Sequence, residues 1–277
     1  MKGTEMAARR RSSEISTLRS LAAWAVGLVF LAPFLWLVIT ALKPASETFA
    51  FSVAPLTLAN FQHVLVQVPL LRYMGNTAFV AVVVTVIALV FHSMAAYALA
   101  RLRFRGNMVI LNIVVATFMV STPVILVPLY IITRQMGLLD SLWGVIVPGI
   151  FNAFGIFLLR QVMISIPKEL EESATLDGAG YWRKYTGIIL PLIKPTLASL
   201  AVLFFLANWN AFMWPRTILA DQNLWMVQQG LSSMQGQYGS QWHNIAAAAV
   251  VVALPTLIMF LIFQRFLVKS IMISGLK

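Results

Sequence analysis

Six stretches of this chain contain no Asp, Glu, Lys or Arg: residues 21–42, 75–100, 108–133, 141–159, 195–215 and 245–264. Each is close to the ~20 residues a helix needs to cross a hydrocarbon core of roughly 30 Å. Inside lipid the backbone has no water to bond, so long apolar runs become helices. The fourth run is the shortest and carries Pro148, Gly149 and Asn152, so its ends are the least sharply marked. Composition agrees with this reading. The chain is 60% hydrophobic and 10% charged, whereas soluble domains carry about 25% charged residues. The expectation is an all-α, polytopic membrane protein with six transmembrane helices in a single domain over residues 1–277.

The charges orient the spans. Basic residues collect in cytoplasmic loops. One side holds Lys2, Arg9, Arg10, Arg11 and Arg19, then Arg101, Arg103 and Arg105. It also holds Arg160, Lys168, Arg183, Lys184 and Lys194, and finally Arg265, Lys269 and Lys277. The other side holds only Lys43, Arg72, Arg134 and Arg216. An even number of crossings puts the N- and C-termini on one side, and this asymmetry makes that side the cytoplasm. The net charge of +11 is therefore a topology signal beside lipid headgroups, and no nucleic-acid partner is expected. Arg9–Arg11 ahead of an apolar run resemble a secretory signal. That run is too long for a signal core, and five more follow, so it reads as an uncleaved anchor.

The connections differ in kind. The external segment 43–74 holds Pro44, Pro55 and Pro69 and is expected to be partly extended. The external segment 216–244 is rich in Gln, Gly and Ser and carries Trp225, Tyr238 and Trp242. It reads either as a contact for an external partner or as a solvated loop with interfacial aromatic anchors. No internal repeat or separate soluble domain is evident.

The cytoplasmic segment 160–194 carries Glu169, Glu171, Glu172 and Asp177. Pro167 suits the start of a helix. The carboxylates that follow suit its positive end, and Gly178 and Gly180 suit its close. A short helix over about 168–178 is predicted. Leu170, Ala174 and Gly178 share one side of it, which shrinks from Leu to Gly and lets another surface approach closely. Glu171, Glu172 and Asp177 flank that side, placed to pair with basic residues of a partner. On residue types alone an ordinary amphipathic loop helix remains the better reading.

The same segment resembles the EAA loop of ABC importer permeases. Glu172-Ser173-Ala174, Gly178, Ile188 and Leu190-Pro191 keep that pattern's spacing, with Ser173 in place of the first of its two Ala residues. Asn76, the run Ala95-Ala96-Tyr97-Ala98 with Arg101, the run Asn208-Trp209-Asn210 with Phe212, Trp214 and Pro215, and Leu254-Pro255 with Phe263-Gln264-Arg265 are similar to the carbohydrate (MalG-like) branch. The resemblance covers nearly the whole chain. It implies a type I permease fold in a prokaryotic cell membrane, with a coupling helix that docks on a cytoplasmic ATPase. The implied partners are a second, homologous permease subunit, two ATP-binding subunits and an extracytoplasmic solute-binding protein. ATP and Mg would be held by the ATPase, leaving no cofactor on this chain.

No enzymatic motif appears. G-x-x-x-x-G-K-[ST] is absent, and His63, His92 and His243 are scattered without metal-ligand spacing. Ionisable residues within spans mark ion paths, and here only His92 can titrate. The pattern suits a neutral polar solute. Asn112, Asn152, Asn208 and Asn210 offer amide groups to it, and Trp209 and Trp214 offer faces for a sugar ring. The same Asn residues can instead join helices by hydrogen bonds. A gradient-driven secondary carrier is the alternative function, and a structural membrane protein without a solute path is a third.

Overall fold

The computed structural model describes residues 2–48, 55–237 and 241–274, with side chains at Ser20 and within 23–48, 55–236 and 241–264. The basic side chains of the N-terminus (Lys2, Arg9, Arg10, Arg11, Arg19) and of the tail (Arg265, Lys269, Lys277) lie outside the described residues, as does Tyr238. Among the described residues there is no strand. The helices are α1 (Lys2–Leu42), α2 (Ala59–Gln67), α3 (Leu70–Arg101), α4 (Asn107–Ala116), α5 (Thr122–Gln135), α6 (Leu142–Gly149) and α7 (Ala153–Ser165). They continue as α8 (Glu169–Leu176), α9 (Tyr181–Lys184), a π-helical turn at Tyr185–Ile189, α10 (Leu190–Leu192) and α11 (Lys194–Trp209). The last are α12 (Met213–Ile218), α13 (Val227–Gln237) and α14 (Trp242–Ser274).

Among the described residues four stretches are long and apolar enough to cross a bilayer: Ala23–Leu42, Leu70–Arg101, Leu142–Ser165 and Trp242–Gln264. Two further pairs qualify only jointly, Asn107–Met119 with Thr122–Gln135 bent by 109°, and Tyr181–Leu192 with Lys194–Trp209 bent by 74°. The described spans thus number six when each bent pair is counted as one. The third apolar run is the main departure from the sequence reading. It does not form one straight rod, because Ser121 is extended and α5 restarts at Thr122 with Pro123 in its first turn. Proline lacks an N–H and is tolerated at that position, where no partner is needed.

The packing forms two compact units, Met1–Val68 with Met234–Val251, and Pro69–Ser233 with Val252–Lys277. In the first, Asn60 donates from Nδ2 to the carbonyls of Ala41 and Lys43, both at 2.8 Å. It thereby satisfies acceptors left open at the end of α1. The described residues of the segment 43–74 include the helix α2, and Pro69 immediately precedes α3.

In the second unit α3 packs on α7 and α11. Their shared core contains Ala88, Ala96, Leu159, Met163, Leu200 and Phe204. Gly155 permits the close approach. A Cβ there would stand 2.6 Å from both His92 Nδ1 and Phe204 Cζ. The break between α6 and α7 is held on both sides of its peptide. Asn152 N–H donates to His92 Nε2 at 3.2 Å, and Asn152 Oδ1 accepts from Gly155 N–H at 3.4 Å.

Candidate functional site

The segment singled out by its carboxylates and glycines forms α8, over Glu169–Leu176. Its end is closed by two backbone bonds, Gly178 N–H to Thr175 O at 3.0 Å and Ala179 N–H to Ala174 O at 2.9 Å. This double closure needs a left-handed residue at its first position, and Gly178 has φ +79°.

One side of α8 is fastened to α3. Glu171 Oε1 lies 2.6 Å from Arg101 Nε, in an ion pair whose side chains are 11% and 5% exposed. Tyr97 Oη donates to Glu171 Oε2 at 3.2 Å. Arg101 also donates from Nη2 to Ile166 O at 2.7 Å, which pins the approach to α8. Glu171 therefore faces the chain's own arginine and not a partner's, unlike the flanking role expected for it. A helical wheel places residues relative to each other, but it does not say which side meets an arginine on another helix.

The opposite side of α8 is open. Leu176 is 90% exposed, and Glu169, Glu172, Ser173 and Asp177 are exposed around it. Leu170 is less exposed and Ala174 is half-buried, so the Leu170–Ala174–Gly178 line runs along a flank of the free face. Ala174, Asp177 and Ile188 meet Arg183 and Gly187 around a hollow of about 260 Å³. Leu190 is half-buried and Pro191 exposed, just after the π-helical turn. A proline ring clashes with the carbonyl four residues back in a regular helix, and a widened turn relieves that. The turn also buries Tyr185 and Ile189. Tyr185 Oη lies 2.7 Å from Ser93 Oγ on α3.

The solute-path candidates separate. Trp209 is 2% exposed, stacks on Phe205 at 5.6 Å and donates from Nε1 to Val252 O at 3.2 Å. It is a core residue with no free ring face, which removes it from sugar stacking. Trp214 is half-buried and donates to Gly144 O at 3.1 Å. Asn208 turns its Nδ2 back to Phe204 O at 2.8 Å. Asn112, Asn152 and Asn210 are exposed. Asn210 Oδ1 accepts from Gln228 Nε2 at 3.2 Å, so it reaches α13 and is not isolated on its helix. Among the described residues no group of His, Asp or Glu could hold a metal.

Sequence reasoning missed three residues here. In the sequence Arg101 stands only as a topology charge and, with Tyr97, as part of a resemblance, and Leu176 stands as one apolar residue among polar neighbours. Leu176 carried a signal: it is a large apolar residue on a helix whose neighbours are mostly polar.

Residues 93–273 match the family described as "Binding-protein-dependent transport system inner membrane component". The arabinooligosaccharides transport system permease protein AraQ of Halalkalibacterium halodurans is 29% identical over 276 residues, spanning 97% of this chain and 99% of its own. AraQ of Bacillus subtilis is 30% identical over 259 residues, 91% of this chain and 92% of its own. The fold is similar to a chain in the crystal structure of a bacterial ABC transporter involved in the import of the acidic polysaccharide alginate. That likeness has a TM-score of 0.81 at 24% identity and covers 91% of this chain and 95% of the other.

Proposed function

Because the chain belongs to the binding-protein-dependent transport system inner membrane components, we propose that it forms half of the translocation path of an ATP-driven importer for a carbohydrate or related polyol. It is a multi-pass inner-membrane protein and a permease subunit. In this reading both termini and α8 lie in the cytoplasm, as the distribution of basic residues favours. A second permease subunit completes the path, two ATP-binding subunits hold ATP and Mg, and an extracytoplasmic binding protein delivers the solute. The relatives named for arabinooligosaccharides support a sugar as the solute class.

The observation that carries the proposal is the split character of α8. One side is locked to α3 through Glu171 and Arg101, and the other presents Leu176, 90% exposed, amid carboxylates. Polar neighbours make that side unsuited to lipid, and an apolar anchor ringed by charge suits a protein cleft. ATP-driven closure of the ATPase subunits would then push on α8 and turn the path outward.

Purification of the tagged chain from native membranes tests this. We expect an ATP-hydrolysing subunit to co-purify, with its activity stimulated by the solute-loaded binding protein. A thermal-shift screen of that binding protein against sugars and polyols names the solute. Recovery of a transport-competent chain with no ATPase would support a gradient-driven carrier instead.

A further inference from the structure

We infer that α3 is a connecting rod that carries the state of α8 across the membrane to α13. The inference rests on the reading of α8 as the coupling helix. Among the four single stretches able to cross a bilayer, α3 alone is both unbroken and free of proline. Ala23–Leu42 contains Pro33, Leu142–Ser165 contains Pro148 and the gap before α7, and Trp242–Gln264 contains Pro255. Prolines remove a backbone bond and bend helices. A proline-free helix of 32 residues transmits displacement with the least internal give. At about 1.5 Å per residue it reaches about 48 Å, well beyond a hydrocarbon core of about 30 Å. Both its ends therefore emerge from the bilayer.

Each end grips neighbouring elements through side chains. At the inner end, Arg101 and Tyr97 hold Glu171 of α8, and Ser93 meets Tyr185 of the π-helical turn. At the outer end, Asn76 Nδ2 donates to Asn223 O at 2.9 Å and Trp225 O at 3.0 Å. Val227 N–H, the first of α13, donates to Thr77 Oγ1 at 2.8 Å. Arg72 bonds the Asn223 side chain. The Tyr73 ring lies against Trp225 and against Gly230, where a Cβ would overlap it. Residues 223–230, part of a segment that reads from sequence as a polar external loop, are thus folded onto α3 as a cap, with Met226, Val227, Gln229 and Gly230 buried. Through Gln228 that cap reaches Asn210 at the end of α11.

The roles follow from the geometry. Arg101, Tyr97, Asn76 and Thr77 are positioning residues: they act by fixing α3 to what moves at either end. Coupling between two sites is reciprocal in binding free energy, so a partner engaging the cap biases α8 as α8 biases the cap.

The test uses the assembled importer in lipid nanodiscs, with amide exchange of α13 followed with and without ADP–vanadate trapping. No solute is required. In the wild type, trapping should change α13 exchange several-fold. Arg101→Gln should still trap vanadate and lose the α13 response. The exchanged pair Arg101→Glu with Glu171→Arg should restore it. Thr77→Val, which removes the acceptor of Val227 N–H and the hydroxyl's own bond to Tyr73 O within α3, should also trap normally and lose the response. A wild type without an α13 response, or variants that respond like the wild type, overturns the rod. So does a uniform rise of α13 exchange in both nucleotide states with the response kept, since that is loosening and not lost transmission. An assembled complex that fails to trap vanadate at all counts against the functional reading itself, and the rod falls with it.

Discussion

Arg101, the last residue of α3, and Glu171, in the first turn of α8, form a buried ion pair with Nε 2.6 Å from Oε1. Removing one partner strands the other charge away from water, at about 3–5 kcal/mol. Glu171→Gln should therefore lower the thermal unfolding temperature of the detergent-solubilised chain clearly, and Glu172→Gln, at an exposed neighbour, should not. Equal melting of the two variants would contradict the burial argument.

Leu176 gives the opposite expectation. At 90% exposed it holds nothing within the chain, so Leu176→Asp should alter stability within about 0.5 kcal/mol. If its side docks in an ATPase cleft, the same change should sharply reduce co-purification of the ATP-hydrolysing subunit. Undiminished co-purification would show that the free face of α8 is not the docking face.

Gly155 lies where α7 crosses α3 and α11. A Cβ at 2.6 Å from His92 Nδ1 and Phe204 Cζ forces helices or side chains apart, and such overpacking costs about 1–3 kcal/mol. Gly155→Ala should melt earlier than wild type. Gly75→Ala, in open space on a helix, should match or exceed wild-type stability. The comparison is read in one thermal series, and reversal of the order would refute the packing assignment.

Trp209 and Asn210 are adjacent but should behave differently. Trp209→Phe deletes the bond to Val252 O and part of a buried ring stack, and Trp209→Ala should cost about 3–5 kcal/mol. Asn210→Ala, at an exposed site, should leave the melting temperature near wild type. Any effect of Asn210→Ala on uptake of the solute found by the thermal-shift screen would then report the path and not the fold. A large loss of stability in Asn210→Ala would return that residue to a helix-joining role.

The bent third run shows where a sequence signal was present and outweighed. Ser121-Thr122-Pro123 is a helix start written inside a charge-free stretch, and the structure restarts α5 there. Counting apolar residues measures cost in lipid, which does not distinguish one rod from two pieces. The segment 216–244 shows the reverse case. Its Gln, Gly and Ser content describes solubility, while the placement of its residues 223–230 depends on Asn76, Thr77 and Tyr73, far away in the chain. Polar composition holds no record of such partners.

Local and bulk properties were determined by the sequence alone. Charge-free runs dictate helices in lipid because the backbone has nowhere else to bond. Basic residues favour one orientation because crossing lipid is costly for them, and Gly178 stops α8 because few other residues take φ +79° readily. Each of these depends on a residue and its solvent or its near neighbours. Only the tertiary structure decided that Glu171 turns inward and Leu176 outward, that Trp209 is core, and that α3 grips α8 at one end and the α13 cap at the other. Those outcomes depend on which helices meet and at what rotation, a cooperative property of packing that no single stretch of residues contains.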